Sequence, residues 1–277
     1  MLFSNLLPGN RTPPFKLINN FFKNINNVIY KFKQNMLENL YTSKNYILKN
    51  PSYHVEDSLF KSKNFIKLLK INRFNFSEIK NVIDVGCGAG EILKELKKSN
   101  YFNVNAIFSG YDINEEIIEY ANKNTDENIN FYSDNYFECE LYKKSDLIIC
   151  ADVYEHIDDY MGFLKKLSLG GKFFLFNIPL DISFRSILSK KFIKNNFDTY
   201  GHIHFFNKNI AKLILNYCGY EIIDTIYAKN FLDHEKKDTF KQLIYAIPVK
   251  IFDLINEDLS ANIFGGYSLV VLARLKK

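Results

Sequence analysis

The chain has 277 residues, 47% hydrophobic and 24% charged, which supplies one large core and excludes a globally disordered chain. Its 4 cysteines, Cys87, Cys139, Cys150 and Cys218, include no CxxC pair; this argues against a zinc ribbon or a disulfide framework and fits a reducing cytoplasm. The net charge of +5 sits in the first 50 residues, where seven Lys/Arg face one acid, Glu38. The near-neutral remainder excludes a broad phosphate-binding face and hence DNA, and leaves RNA only the basic arm.

In residues 1–50, Ile18, Phe22, Ile25, Ile29, Phe32, Met36 and Leu40 recur in steps of three or four after Pro13-Pro14. This predicts an amphipathic helical arm, with Lys16, Lys23 and Lys31 on its other side. Such an arm docks on the body, joins a second copy in a homodimer, or lies peripherally on a membrane. The apolar start, Met1 to Leu7, lacks the basic flank and cleavage site of a signal peptide. Tyr53-His54-Val55-Glu56-Asp57-Ser58 precedes a helix predicted over Ser58–Ile71, with Asp57 or Ser58 as its cap.

From there strand and helix signals alternate. Strands are expected at Asn81–Val85, Ala106–Tyr111, Ile129–Tyr132, Asp146–Cys150, Lys172–Ile178, Tyr220–Ile226 and Tyr267–Leu272. Helices are expected around Glu91–Ser99, Asn114–Lys123, up to Leu164–Leu167, and over Lys208–Cys218. Near-continuous apolar strands separated by helices imply an α/β, doubly wound, mostly parallel sheet of seven strands in one domain, residues 51–277. The last strand follows Gly265-Gly266 without a helix and is free to pair antiparallel. The apolar, helical insert at about 230–265 reads as a lid or a dimer element.

The chemistry begins at Asp84-Val-Gly86-Cys87-Gly88-Ala-Gly90. A buried strand enters three alternating glycines and then a helix, which lets the backbone turn sharply and lets a ligand approach where a Cβ would stand. The spacing is GxGxG rather than the GxGxxG of dinucleotide sites, and no Gly-Lys-Ser/Thr follows. Asp112 ends the second strand, where a carboxylate accepts both hydroxyls of a ribose. Asp134, before Asn135, ends the third, and Asp152 follows the fourth. Four acids at successive strand ends line the edge where open parallel sheets bind ligands, although any one of them alone is ordinary turn and cap chemistry.

These residues resemble class I S-adenosylmethionine-dependent methyltransferases. Val-Ile-Asp84-Val-Gly86-Cys-Gly88-Ala-Gly90 is similar to the family's first motif, Gly110-Tyr-Asp112-Ile113 to its second and Ser133-Asp134 to its third. Asp152-Val-Tyr-Glu155-His156 and Gly201-His202-Ile-His204-Phe-Phe resemble segments of the small-molecule branch that includes ubiquinone-biosynthesis O-methyltransferases. The resemblance covers about Pro51 to Ile226, with the last strand. It implies S-adenosyl-L-methionine as cofactor, held by Asp84, Gly86, Cys87, Gly88, Gly90, Asp112, Ile113, Asp134, Asn135 and Asp152. It implies that Tyr53 or its neighbours close over that cofactor.

Methyl transfer is expected to an oxygen, and less readily to nitrogen or carbon, of a small-molecule acceptor such as a sugar, quinone or lipid precursor. Asp152 is placed beside the methyl group. His156 is the first candidate for general base, followed by His202 and His204; the alternative for His156 is to hold its loop by packing and hydrogen bonding. Related enzymes also use Glu and His of these segments to hold a divalent metal, for which Asp152, Glu155, His156 and one of His202 or His204 are the candidates here; the reading adopted assigns no metal. The alternatives are an RNA methyltransferase and a non-catalytic protein that binds a partner through the arm.

Overall fold

The computed structural model describes residues 55–276, apart from 124, 126–127, 140–141, 143 and 235–238. The basic arm and Tyr53-His54 lie outside the described residues. The first helix, α1, runs Val55–Ile71. Asp57 and Ser58 lie within it rather than ahead of it.

Seven strands form one sheet: β1 (Asn81–Val85), β2 (Ile107–Asp112), β3 (Ile129–Ser133), β4 (Ser145–Ala151), β5 (Gly171–Pro179), β6 (Tyr220–Ala228) and β7 (Ser268–Leu275). Their order is β3-β2-β1-β4-β5-β7-β6. The first five pair in parallel, and β7 enters antiparallel between β5 and β6. The order reverses between β1 and β4, and such a switch point opens a crevice at the carboxyl ends of the strands.

Helices α2 (Glu91–Lys98), α3 (Glu115–Lys123), α4 (Tyr160–Ser168) and α7 (Lys208–Tyr217) connect strands. Between β5 and α7 lie two short helices, α5 (Phe184–Leu188) and α6 (Lys190–Asn195). Neither is long enough to show a period in the sequence. The insert before β7 folds as α8 (Phe240–Ile255), which contains Pro248, and α9 (Glu257–Phe264).

Period-two alternation puts apolar side chains on both faces of the sheet. Val82, Leu147, Ile149, Leu175 and Val270 pack with Phe65, Leu68 and Leu69 of α1 on one face. Ile83, Val85, Ile148, Phe174 and Phe176 pack with Leu164, Ala211 and Leu215 on the other. Strands covered on both sides read as unbroken apolar runs, which is why they stand out in the sequence. In the insert, Phe231, Ala246 and Val249 form a small core of their own, whereas Phe240, Leu243, Ile247 and Ile251 are exposed. No helix of the described residues is long and apolar enough to cross a membrane.

Candidate active site

The Gly-rich turn leaves β1 at Val85. The amides of Gly86 and Cys87 both donate to the carbonyl of Tyr111 on β2, at 2.8 and 3.1 Å. This ties the turn to the end of the neighbouring strand. Two glycines answer to different needs. Gly90 has φ +77°, and a Cβ there would lie 2.2 Å from the ring of Phe131, so packing demands glycine. Gly88 has φ +52°, and a Cβ there would meet nothing within 4 Å. Space is left open at Gly88 where a ligand can reach the backbone. Cys87 is buried, and burial drives its thiol well above the usual range. It is therefore an inert packing group, against which Gly110 packs so closely that a Cβ there would lie 2.7 Å from Sγ.

Asp112 completes the turn. Its Oδ2 accepts from the Gly88 amide at 3.0 Å and its Oδ1 from the Asn114 amide at 2.9 Å. Burial pushes its carboxyl up, and these backbone donors pull it back. The carboxylate is thus fixed in orientation beside the open space. Ile113, next in the chain, is 59% exposed, an apolar surface available to a planar base. Asp134 is exposed and its Oδ1 accepts from the Asn135 amide at 2.7 Å. Asn135 spends its side chain on a local turn, accepting from the Phe137 amide at 3.1 Å and donating to Glu138 at 3.0 Å.

Asp84 lies inside β1, opposite Gly110 and Ile149. It is 1% exposed, and neither carboxylate oxygen has a hydrogen-bond partner among the described residues. Burial, then the charge of Asp112, pushes its carboxyl up to about 7, while Lys61 works the other way.

At the end of β4 the backbone of Asp152 is left-handed, φ 55°, a conformation that Asp tolerates better than most residues. Asn177 on β5 fixes it from both sides: the Asp152 amide donates to the Asn177 carbonyl at 3.0 Å, and Asn177 Nδ2 donates to Asp152 Oδ1 at 2.7 Å. The other oxygen, Oδ2, pairs with Lys61 Nζ at 2.7 Å. Glu155 is fully buried with neither side-chain oxygen hydrogen-bonded among the described residues, and burial, then Asp152, holds its carboxyl well above the usual range.

The three histidines separate. His156 Nδ1 lies 3.1 Å from the Gly201 carbonyl, which puts its proton on Nδ1. Burial, with His202 contributing, lowers it to about 4, so the ring is neutral near pH 7. His202 Nδ1 lies 2.7 Å from Asp181 Oδ2, and Asp181 Oδ1 accepts from Asn196 Nδ2 at 2.7 Å. That chain fixes the His202 tautomer and ring angle. His204 Nε2 is bonded to the Ile157 carbonyl at 3.0 Å and its ring packs on Tyr160. His156 and His202 meet edge to face, centroids 5.0 Å apart. Glu155, His156 and His202 each offer a ligand atom within 4.8 Å of the others. This donor set fits a small divalent cation, with His202 rather than His204 as the distant histidine.

Lys61, Asn177, Asp181 and Asn196 do not stand out in the sequence as site residues. For Asn177 and Asp181 a signal exists: polar residues closing an apolar strand are the feature that singles out Asp112 and Asp152. Lys61 and Asn196 lie within helical segments, where nothing local distinguishes them.

Comparison with known proteins follows the same residues. Residues 77–174 match the methyltransferase domain family. The matched stretch contains the Gly-rich turn, Asp112, Asp134 and the Asp152–His156 turn. The ubiquinone biosynthesis O-methyltransferase of Rickettsia typhi is 35% identical over 102 residues, which are 37% of this chain and 40% of that protein. The Coxiella burnetii protein of the same name is 31% identical over 110 residues, 36% and 44% of the two chains. The chain thus spans about two fifths of the length of the curated relatives it matches. A solved magnesium protoporphyrin IX methyltransferase from Synechocystis, with bound SAH, is similar over 88% of this chain and 100% of that one, with a TM-score of 0.58 at 14% identity. That likeness shows the fold: one mostly parallel sheet of seven strands with helices on both faces.

Proposed function

We infer that the chain transfers a methyl group from S-adenosyl-L-methionine to an oxygen of a small-molecule acceptor. The observation that carries this reading is the Gly88–Asp112 arrangement, a carboxylate fixed by a backbone amide beside open space. It fits a ribose whose hydroxyls donate to Asp112, with Ile113 against the base and the amino-acid end along the glycines. When bound, the cofactor supplies a methyl group on a sulfonium, already activated for in-line displacement.

The chain's own residues then have to orient the acceptor and take its proton. His202 is the base this geometry favours, because Asp181 holds its proton on Nδ1 and leaves the lone pair on Nε2. His156, neutral and lowered to about 4, is a weak base and serves as a packing partner to His202. An oxygen acceptor agrees with the Rickettsia and Coxiella relatives, which are named as O-methyltransferases. A phenol or alcohol of a quinone, sugar or lipid precursor is the class that needs such a base. No step requires a metal, although Glu155, His156 and His202 would hold one.

Calorimetric titration with S-adenosylhomocysteine tests the cofactor assignment. The native chain is expected to bind it. Asp112→Asn, which keeps one acceptor oxygen for the backbone amides, is expected to weaken binding at least tenfold, about 1.4 kcal/mol. Native affinity in that variant refutes the site. Transfer of a tritiated methyl group to hydroxylated small molecules, compared with RNA, tests the acceptor class.

A further inference from the structure

Lys61 approaches the acidic end of the sheet from α1. Phe65, Leu68 and Leu69 lie four, seven and eight residues beyond it and are fully buried. Residue 61 therefore falls on the face of α1 that packs on the core, where helical periodicity calls for an apolar side chain. The lysine there is largely buried, and Nζ stands 2.7 Å from Asp152 Oδ2. Burial alone would lower the ammonium, yet the Asp152 carboxylate more than offsets this and holds it above the usual lysine range.

Asp152 is only one of the acids that Lys61 serves. Its charge also acts on Asp84 and Glu155, drawing both carboxyls down against their burial. Among the described residues, neither of those has a hydrogen bond to a carboxylate oxygen. One ammonium thus pairs with one acid of the carboxyl edge and lies close enough to act on two more.

Methyl transfer turns a sulfonium cation into a neutral thioether. An acidic site with no counter-charge would hold the cation tightly in the ground state, more than in a transition state whose charge is dispersed, and would slow the chemistry. Resting on the function inferred above, we propose that Lys61 is the resident counter-ion of the donor site and sets its preference between the cationic donor and its neutral product.

The test is calorimetry with S-adenosylmethionine and S-adenosylhomocysteine on the native chain, Lys61→Met and Lys61→Arg. Methionine keeps an apolar stem of similar length on the packed face of α1. In Lys61→Met the ratio of donor to product affinity is expected to rise about tenfold, since one charge at about 10 Å with an effective dielectric constant of about 20 acts at that scale. Lys61→Arg is expected to restore the native ratio. An unchanged ratio in Lys61→Met, or an equal loss of both affinities, overturns this proposal and leaves the function standing. Failure of the native chain to bind either nucleoside overturns the function and this proposal with it.

Discussion

Gly88 and Gly90 are two residues apart and both left-handed, yet alanine should harm them in different ways. At either position an L side chain in that backbone region costs about 1–2 kcal/mol. At Gly90 the new Cβ would also lie 2.2 and 2.3 Å from two atoms of the Phe131 ring. Phe131 is buried among Cys87, Ile118 and Ile129, so it cannot swing away freely, and overpacking adds about 1–3 kcal/mol. Gly90→Ala should therefore lose about 2–5 kcal/mol of stability and Gly88→Ala about 1–2 kcal/mol. Binding should follow a different order. The Cβ of Gly88→Ala enters space that the protein leaves open, so this variant should stay folded while losing at least tenfold in affinity for S-adenosylhomocysteine. Urea unfolding gives the stabilities and calorimetry the affinities. Native affinity in folded Gly88→Ala, or equal stabilities of the two variants, would refute the division of labour.

His202→Gln should lower kcat by about 10²–10⁴-fold with product affinity within about twofold of native, and Asp181→Asn should follow in the same direction; an unchanged kcat in either removes the pair from the chemistry. His156 carries a pH signature. Its folded value is lowered to about 4 against about 6.5 in the unfolded chain, so the unfolded chain binds more protons between those values. The stability it contributes is present above about 6.5 and is lost as pH falls toward 4. The stability difference between the native chain and His156→Gln should shift by about 2 kcal/mol against the native chain from pH 7 to pH 5. The comparison with the variant matters because Asp84, raised to about 7, has the opposite slope; a constant difference across that range contradicts the burial argument.

The sheet is legible because its physics is local. Each strand is an apolar run, each glycine turn breaks a period, and the antiparallel β7 follows two glycines rather than a helix. Boundaries hold to within three residues, as at Ile107–Asp112 and Ser145–Ala151. Asp112 is legible for the same reason, as a polar residue ending an apolar strand. What the sequence hides is partnership across distance. The order of preference among His156, His202 and His204 depends on Asp181, 21 residues before His202. It depends equally on a buried ring whose environment no local pattern encodes. Asn177 orients Asp152 from 25 residues away. Lys61 reads as a solvent-facing charge until the fold shows which face of α1 meets the core. The apolar insert, read as a lid or a dimer element, leaves Phe240, Leu243 and Ile247 exposed.

The carboxyl edge of this sheet violates the rule that buried polar groups find partners. Among the described residues, the side-chain oxygens of Asp84, Glu155 and Asn177 have no hydrogen-bond donor, although other buried serines and asparagines, such as Ser183 with Ser186 and Asn196 with Asp181, pair without difficulty. Satisfying three orphans would take only a few small side chains, so their retention has a cost in stability of about 1–3 kcal/mol each that folding alone does not repay. Burial raises both carboxyls, Asp84 to about 7 and Glu155 well above the usual range, so a ligand that is cationic and donates hydrogen bonds would draw them toward the charged form. A sulfonium amino acid is such a ligand, with one positive centre at the sulfur and another at its ammonium. Lys61 keeps the same edge tolerable when it holds no such ligand. The unfavourable features of the fold and the chemistry proposed for it therefore meet in one place: buried carboxyls whose charged form a cationic ligand would stabilise.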